Sequence, residues 1–580
     1  IMPMAKKTIL VALLLAICLA AAGITPACSA VQRQCSVLVY GSTPAGLCAA
    51  IAASRQLKGT TQHDRVCLLS SHAHIGGMVT GGLGKTDTGG SRGEALIGGI
   101  AAEFFLEVGR LYGHTQPTYY FEPSVASKAF ANLLNASNVT VEVSELLTKV
   151  TMGSAGSTGH KRISSITSSS GTVYSSDVFI DATYEGDLMA MSGVRYTYGR
   201  EAVSQYNESL AGRQLYSPSN QFYTAVDPID HATNKTLNFV YSGDPGKPGD
   251  ADKKVGAYNL RLCLTTNATN KVEISEPEEY NPEDWELVRR YAQTDMVNSN
   301  PKVYHFLGIG SVPNGKSDTN NAGPMSTDLI GGSWAYPDAD WTERKAIIRQ
   351  HYLYTHQLLW FLGHDPAINA SIRANMLDYG LCADEHLVNE WYEPHWPAQL
   401  YVREARRMLG PFVFTEHSAR DGDSAKRNES SIGCGSYNFD AHNSQRYPCL
   451  PDSIECLKSS GGRINPCCKH KNPGGAATAE FAVIDEGDVE VNPGPFEIPY
   501  DVLLPSVEEA SNLLVPGAVS SSHVGFSCLR LEPQWMIMGH SSGTAAALAL
   551  KTKSESVQSL DRSLLHTELM KENQILDTEK

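Results

Sequence analysis

An α/β protein built on a parallel sheet is predicted by two stretches near the start of the chain and one further on. Residues 36–54, Ser-Val-Leu-Val-Tyr-Gly-Ser-Thr-Pro-Ala-Gly-Leu-Cys-Ala-Ala-Ile-Ala-Ala-Ser, read as a buried strand, a tight turn and a slim helix. Val37, Leu38 and Val39 form the apolar run of a parallel strand, Gly41 allows the sharp turn, and Pro44 suits a first helical turn. Gly46, Ala49, Ala50, Ala52 and Ala53 let the helix lie close to the sheet, with its positive end facing a pyrophosphate. A second strand follows at Arg65–Leu69. A hairpin is expected from 162–166 and 171–174, then a strand running into a turn at Phe179–Thr183. The fold class is therefore α/β with a Rossmann-like nucleotide-binding unit. Gly41, Thr43, Pro44, Ala45 and Gly46 are its first candidate cofactor contacts, with Thr43 standing where G-x-G-x-x-G has its second glycine.

Three further segments extend the pattern. They are Ser71-His-Ala-His-Ile-Gly-Gly-Met-Val-Thr-Gly-Gly-Leu-Gly-Lys-Thr-Asp87, Phe179-Ile-Asp-Ala-Thr-Tyr-Glu-Gly-Asp-Leu188, and Glu532-Pro-Gln-Trp-Met-Ile-Met-Gly-His-Ser-Ser-Gly-Thr-Ala-Ala546. With residues 401–407, 435–446, 486–490 and 497–500, they resemble the FAD-dependent oxidoreductase family, whose bacterial members are often labelled putative xanthan lyases. The resemblance implies bound FAD and a Rossmann-like FAD-binding domain in discontinuous pieces, residues 31–200 and 496–552. An α+β substrate domain over 201–495 and a tail helix over 553–580 complete it. It also implies cofactor contacts from Gly76, Gly77, Met78, Asp181, Ala182, Thr183, Gly186 and Asp187. Gly539, Ser542, Gly543 and Thr544 read as a helix start whose N–H groups face the flavin. One departure stands out: Ser70 ends the second strand, where an acidic residue ordinarily accepts hydrogen bonds from the adenosine ribose. Looser FAD binding, an acid from elsewhere, or loss of the cofactor are the alternatives.

Catalytic candidates are His523, Tyr437 and His442. His523 lies shortly before the last glycine segment and could serve as a base, or be a hydrogen-bonded structural histidine. Arg403, Arg406 and Arg407, read as one helix, would bind an anionic substrate or form salt bridges. The reading is an enzyme that passes a hydride from a small-molecule or carbohydrate-type substrate to flavin. The rivals are a polysaccharide lyase-like enzyme and a non-catalytic binding protein keeping the fold. No metal site is expected.

Residues 1–30 read as a secretory signal peptide: Lys6 and Lys7, an apolar core over 9–22, and small residues before a cleavage after Ala30. That places the protein in an oxidising compartment. Of thirteen cysteines, Cys18 and Cys28 fall in the signal. Cys48 and Cys67 read as buried reduced thiols, whereas Cys434, Cys449, Cys456, Cys467 and Cys468 read as disulfide-forming within an insertion over 434–470, ahead of a zinc reading with His470. Sequons at Asn135, Asn138, Asn207, Asn234, Asn267, Asn369 and Asn428 suggest a glycoprotein. A formal net charge of −15 and low charge density argue against nucleic acid, and no stable membrane span is expected in the mature chain. Asp488-Val-Glu-Val-Asn-Pro-Gly-Pro495 matches the signature of ribosome-skipping peptides, yet it fits an acidic, proline-rich turn, so a single continuous chain is expected.

Overall fold

The protein is described from a computed structural model covering residues 31–61, 65–154, 159–214, 219–420, 430–449 and 482–579. The expected signal peptide, Asn428, Cys456, Cys467, Cys468 and His470 lie outside these described residues. Strand β1 (Gln32–Tyr40) runs parallel to β2 (Val66–Leu69) on one side and to β6 (Val173–Asp181) on the other. Beyond β2 lies β3 (Val139–Glu142), also parallel. Beyond β6 the sheet turns antiparallel through β5 (Lys161–Ser168) and β4 (Leu147–Ser154), and β5 with β6 is the expected hairpin. Strand order therefore reverses between β1 and β6, the crevice where open α/β sheets bind ligands. The short strand Leu513–Leu514 joins the same sheet beside β6 from far along the chain.

Helix α1 (Pro44–Leu57) starts directly after β1, with Thr43 as N-cap and Pro44 in the first turn. A second, antiparallel sheet has five strands in the order Lys271–Val272, Gly380–Cys382, Leu262–Thr265, Lys316–Asn321 and Leu307–Val312. It is accompanied by the long helix α2 (Trp341–His364). Near the C-terminus come α3 (His523–Leu529), α4 (Glu532–Thr552) and α5 (Arg562–Lys571). Leu565 and Leu569 bury the apolar face expected of the tail helix. No helix of the described residues is long and apolar enough to cross a membrane.

Two expectations are corrected here. Cys67 is not a reduced thiol: it forms a disulfide with Cys35. The apolar run hid the reason, because β1 begins at Gln32 rather than Ser36 and so brings Cys35 beside β2. Cys48 is a free buried thiol, as expected, and burial pushes its pKa up. A second bridge, Cys263–Cys382, staples the antiparallel sheet, and Cys449 in the expected disulfide region is also disulfide-bonded. Residues 402–406 are not helical either. They run as irregular backbone into a two-residue strand at Arg407–Met408, because each arginine is drawn to a different buried carboxylate.

Candidate active site

The first turn of α1 opens onto a cleft at the crevice between β1 and β6. Gly41, Thr43, Ser70, Gly77 and Thr183 line it, together with Ser42, His72, Tyr184, Glu185 and Glu390. Thr43 Oγ1 donates to the Ala182 carbonyl at 2.6 Å and accepts the Gly46 N–H, which ties the start of α1 to the end of β6. A methyl at Gly46 would stand 1.8 Å from the Gly41 carbonyl oxygen, so glycine alone permits this approach. Gly77 is constrained likewise. Its φ of +53° is left-handed, and a Cβ would meet the Tyr184 hydroxyl at 2.4 Å, the same hydroxyl that accepts the Met78 N–H. Gly76 precedes it and donates its N–H to the Ser42 carbonyl.

Behind the cleft, Asp181 is fully buried and accepts from Thr183 Oγ1 at 2.7 Å and from the Met189 N–H at 2.8 Å. Burial pushes its pKa up to about 6, against those hydrogen bonds. It fixes the turn rather than facing the cleft. Gly186 donates to Thr183 Oγ1, and Asp187 is held by Arg344 and Arg406, each at 2.7 Å. Burial alone would raise Asp187, but Arg344 and then Arg406 outweigh it and hold the carboxyl below its usual range.

The last glycine segment lies elsewhere than expected. Gly539, Ser542, Gly543 and Thr544 sit in the middle of α4, which starts seven residues earlier at Glu532. Gly539 packs on the Ala45 backbone and Gly543 on Ala49 and Ala52, so these small residues let two helices touch. Thr544 Oγ1 donates to Glu572, and Ser542 Oγ back-bonds to Met538. The positive end of α4 is instead at Glu532–Trp535, where the Trp535 ring meets that of cleft-lining Tyr184 edge-on at 6.4 Å.

Phe526 lies 5.7 Å from Trp535 ring to ring and lines a second, tight pocket with room for little more than a water molecule. This cavity brings together His523, His442, Arg403, Glu404, Asp440 and Arg530. His523 Nδ1 donates to Glu404 at 2.7 Å, which leaves Nε2 for a molecule in the cavity. Burial, then Arg407, depresses the His523 pKa to about 4, so the ring is neutral and Nε2 carries a lone pair. His442 Nδ1 donates to Asp328 at 2.7 Å, and its Nε2 lies 3.5 Å from Asp440. Arg403 is paired with Asp328 and Arg530 with Asp440. All three arginines expected to bind an anion or form salt bridges do the latter, Arg406 with Asp187 and Arg407 with Glu201 and Glu404. Tyr437 does not line the cavity. It lies outside, close enough for Asp87, Asp440 and Arg530 to act on its hydroxyl, whose pKa burial raises.

Glu532 opens the last glycine segment, and no spacing in the sequence marks it as a site residue. Its carboxyl is buried at the start of α4 with Oε2 lacking a hydrogen-bond partner among the described residues. Burial, against the pull of Arg530, raises its pKa to about 8. The folded protein thus keeps a proton that the unfolded chain releases above about pH 4. Stability from this group is present at low pH and is lost as pH rises toward 8. Glu532→Gln is therefore expected to match the parent near pH 4 and to melt at higher temperature than the parent at pH 8.5. Parallel melting curves across that range would expose the opposite sign.

The sequence profile described as FAD dependent oxidoreductase matches residues 36–569. The chain belongs to the FAD-dependent oxidoreductase family, and its cofactor is FAD. No curated protein matches the chain. Among solved structures, THI4 of Thermovibrio ammonificans is 17% identical, with 29% of this chain covering 66% of that one at a TM-score of 0.21. L-proline dehydrogenase from P. horikoshii is 11% identical over 30% of this chain and 59% of its own, at 0.22. NikD, an amino acid oxidase of nikkomycin biosynthesis, is 15% identical over 29% and 56%, at 0.21. These structures are matched over only part of their own length.

The cleft fits the cofactor. A crevice at the strand-order switch and a helix start whose glycine excludes a side chain suit the pyrophosphate of a dinucleotide.

Proposed function

We propose that the protein is a secreted flavoenzyme that removes a hydride and a proton from a small, polar, carbohydrate-type substrate whose reacting carbinol is presented to His523 and His442. Bound flavin supplies the two-electron acceptor, and an external acceptor of unassigned chemistry reoxidises it. The observation that carries the reading is that this cavity adjoins the cofactor cleft through Tyr184, Trp535 and Phe526. Its arginines are neutralised by Asp328 and Asp440, so the lining favours hydroxyl groups over a net anion. Neutral His523 Nε2 takes the proton of a substrate hydroxyl while Glu404 fixes the ring tautomer. His442, held by Asp328, donates to or accepts from a neighbouring oxygen.

In this reading residues 31–200 and 496–552 form the FAD-binding domain and 201–495 the substrate domain. Secretion is supported by the N-terminal pattern, by the disulfides, and by exposure of the sequon residues Asn135, Asn138, Asn207, Asn234 and Asn267. Anaerobic mixing with a panel of sugars tests the function. Bleaching of the flavin absorbance with carbonyl formation is expected. Release of unsaturated sugar with no acceptor consumed would establish the lyase instead.

His523→Gln is expected to lower kcat by about 100-fold or more while leaving flavin content unchanged. The depressed pKa gives the sign of the accompanying pH effect: parental activity falls only as pH drops toward about 4, where Nε2 becomes protonated. That acidic limb should vanish in the variant. A variant with full kcat removes the base assignment.

A further inference from the structure

The end of β2 lacks the acid that would hold the adenosine ribose, and the structure brings a carboxylate to that place from a distant part of the chain. Ser70 cannot replace it, because its hydroxyl is engaged with Ser42 Oγ at 2.7 Å and with the His74 carbonyl at 3.2 Å. Glu142, at the end of β3, is turned to the Tyr174 hydroxyl and Arg33 and does not line the cleft. Glu390 does line it, beside Ser70, Ser71 and His72.

Two features fix Glu390 there. Backbone N–H groups of Ala73 and His74, in the turn that follows β2, face its carboxyl and oppose the rise in pKa that burial causes. The adjoining Trp391 ring clamps His72 edge-on at 4.7 Å, with Trp341 of α2 opposite at 4.6 Å. His72 approaches Glu390 at 3.8 Å, but burial, then Lys345, keeps that imidazole neutral; Lys345 also acts on Glu390, though no ion pair joins the two among the described residues. A carboxylate offers two oxygens with about four lone-pair sites, which suits the two hydroxyls of a vicinal diol.

We propose that Glu390 accepts the hydroxyl hydrogens of the adenosine ribose of FAD, taking the role that Ser70 has vacated. The inference rests on FAD being the cofactor of this cleft. It makes cofactor retention depend on the 386–399 segment, some 320 residues from the strand it serves.

Protein stripped of flavin is titrated with FAD, with FMN, which lacks the adenosine, and with FAD carrying 2′-deoxyadenosine. Glu390→Gln keeps the shape and a side-chain oxygen facing Ala73 and His74, so its flavin-free melting temperature should match the parent. Its affinity for FAD is expected to fall about 10- to 100-fold, the range for a lost charge-assisted hydrogen bond, with FMN affinity unchanged. The deoxy analogue should bind the parent more weakly than FAD but bind the variant nearly as well as FAD does. Equal loss for FAD and FMN would show that Glu390 only shapes the segment, and unchanged FAD affinity would overturn the proposal outright. The deoxy comparison on the parent needs no variant, and equal affinity there also overturns it. A parent that binds neither flavin would refute the cofactor assignment itself, a distinct failure from any of these.

Discussion

Gly46→Val is expected to yield protein without bound flavin and with stability lowered by about 3 kcal/mol or more. The first added carbon already stands 1.8 Å from the Gly41 carbonyl oxygen, 3.0 Å from its carbon and 3.2 Å from the Ala182 Cβ. Two of these are backbone atoms of the β1 turn, which cannot swing aside as a side chain would. Relief requires α1 to lift off the crevice, and that motion breaks the Thr43 bond to Ala182 and displaces the helix start from the cofactor cleft. Because α1 also packs on α4 through Ala45 and Ala49, the shift propagates into the C-terminal helix. Flavin released per chain on denaturation, read beside the melting temperature, checks the result. Parental flavin content in a folded variant would show that this turn does not hold the cofactor.

Asp187→Asn is expected to cost about 3 kcal/mol, since it removes the charge facing two buried guanidinium groups. Arg344 retains the carbonyls of Tyr336 and Pro337, and Arg406 retains Asp338, so neither loses every partner. Glu185 supplies a compensation. Burial, together with the repulsion of Asp187, raises its pKa in the parent while Arg344 opposes the rise. Once Asp187 is neutral, Glu185 ionises more readily and takes over part of the charge balance. The double variant Asp187→Asn with Glu185→Gln should therefore lose more stability than the two single losses added together. Urea unfolding of all four proteins gives the coupling, and strict additivity would mean that the two carboxylates do not share these arginines.

Local patterns carried the reading wherever one segment determines its own geometry. The β1 turn, α1, the β5–β6 hairpin and the tail helix were legible because apolar periodicity, Pro44 and the glycines specify them within a few residues. Gly539 and Gly543 misled because a glycine that admits a phosphate and one that admits a second helix look alike in sequence, and here the partner is α1. The disulfide at Cys67 escaped because pairing depends on how far β1 extends before its apolar core. His523 and His442 were identified as candidates but not as neighbours. Their association arises where Arg403 and Glu404 meet residues 440–442 and the start of α3, three segments far apart in the chain, which no spacing records. Glu390 and Trp391 carry no motif at all.

The placement of Leu513–Leu514 beside β6 and of α4 on α1 also sets when the molecule can fold. The β1 turn emerges from the ribosome early, but the helix that buries its back is completed only at Thr552. At about 5–20 residues per second, the intervening synthesis lasts from about half a minute to two minutes. Throughout that interval the alanine face of α1 has no native cover, and the first sheet lacks the strand that flanks β6. The first sheet and the back of α1 are therefore completed only after nearly all of the chain has been made, whatever the speed of the local hairpin.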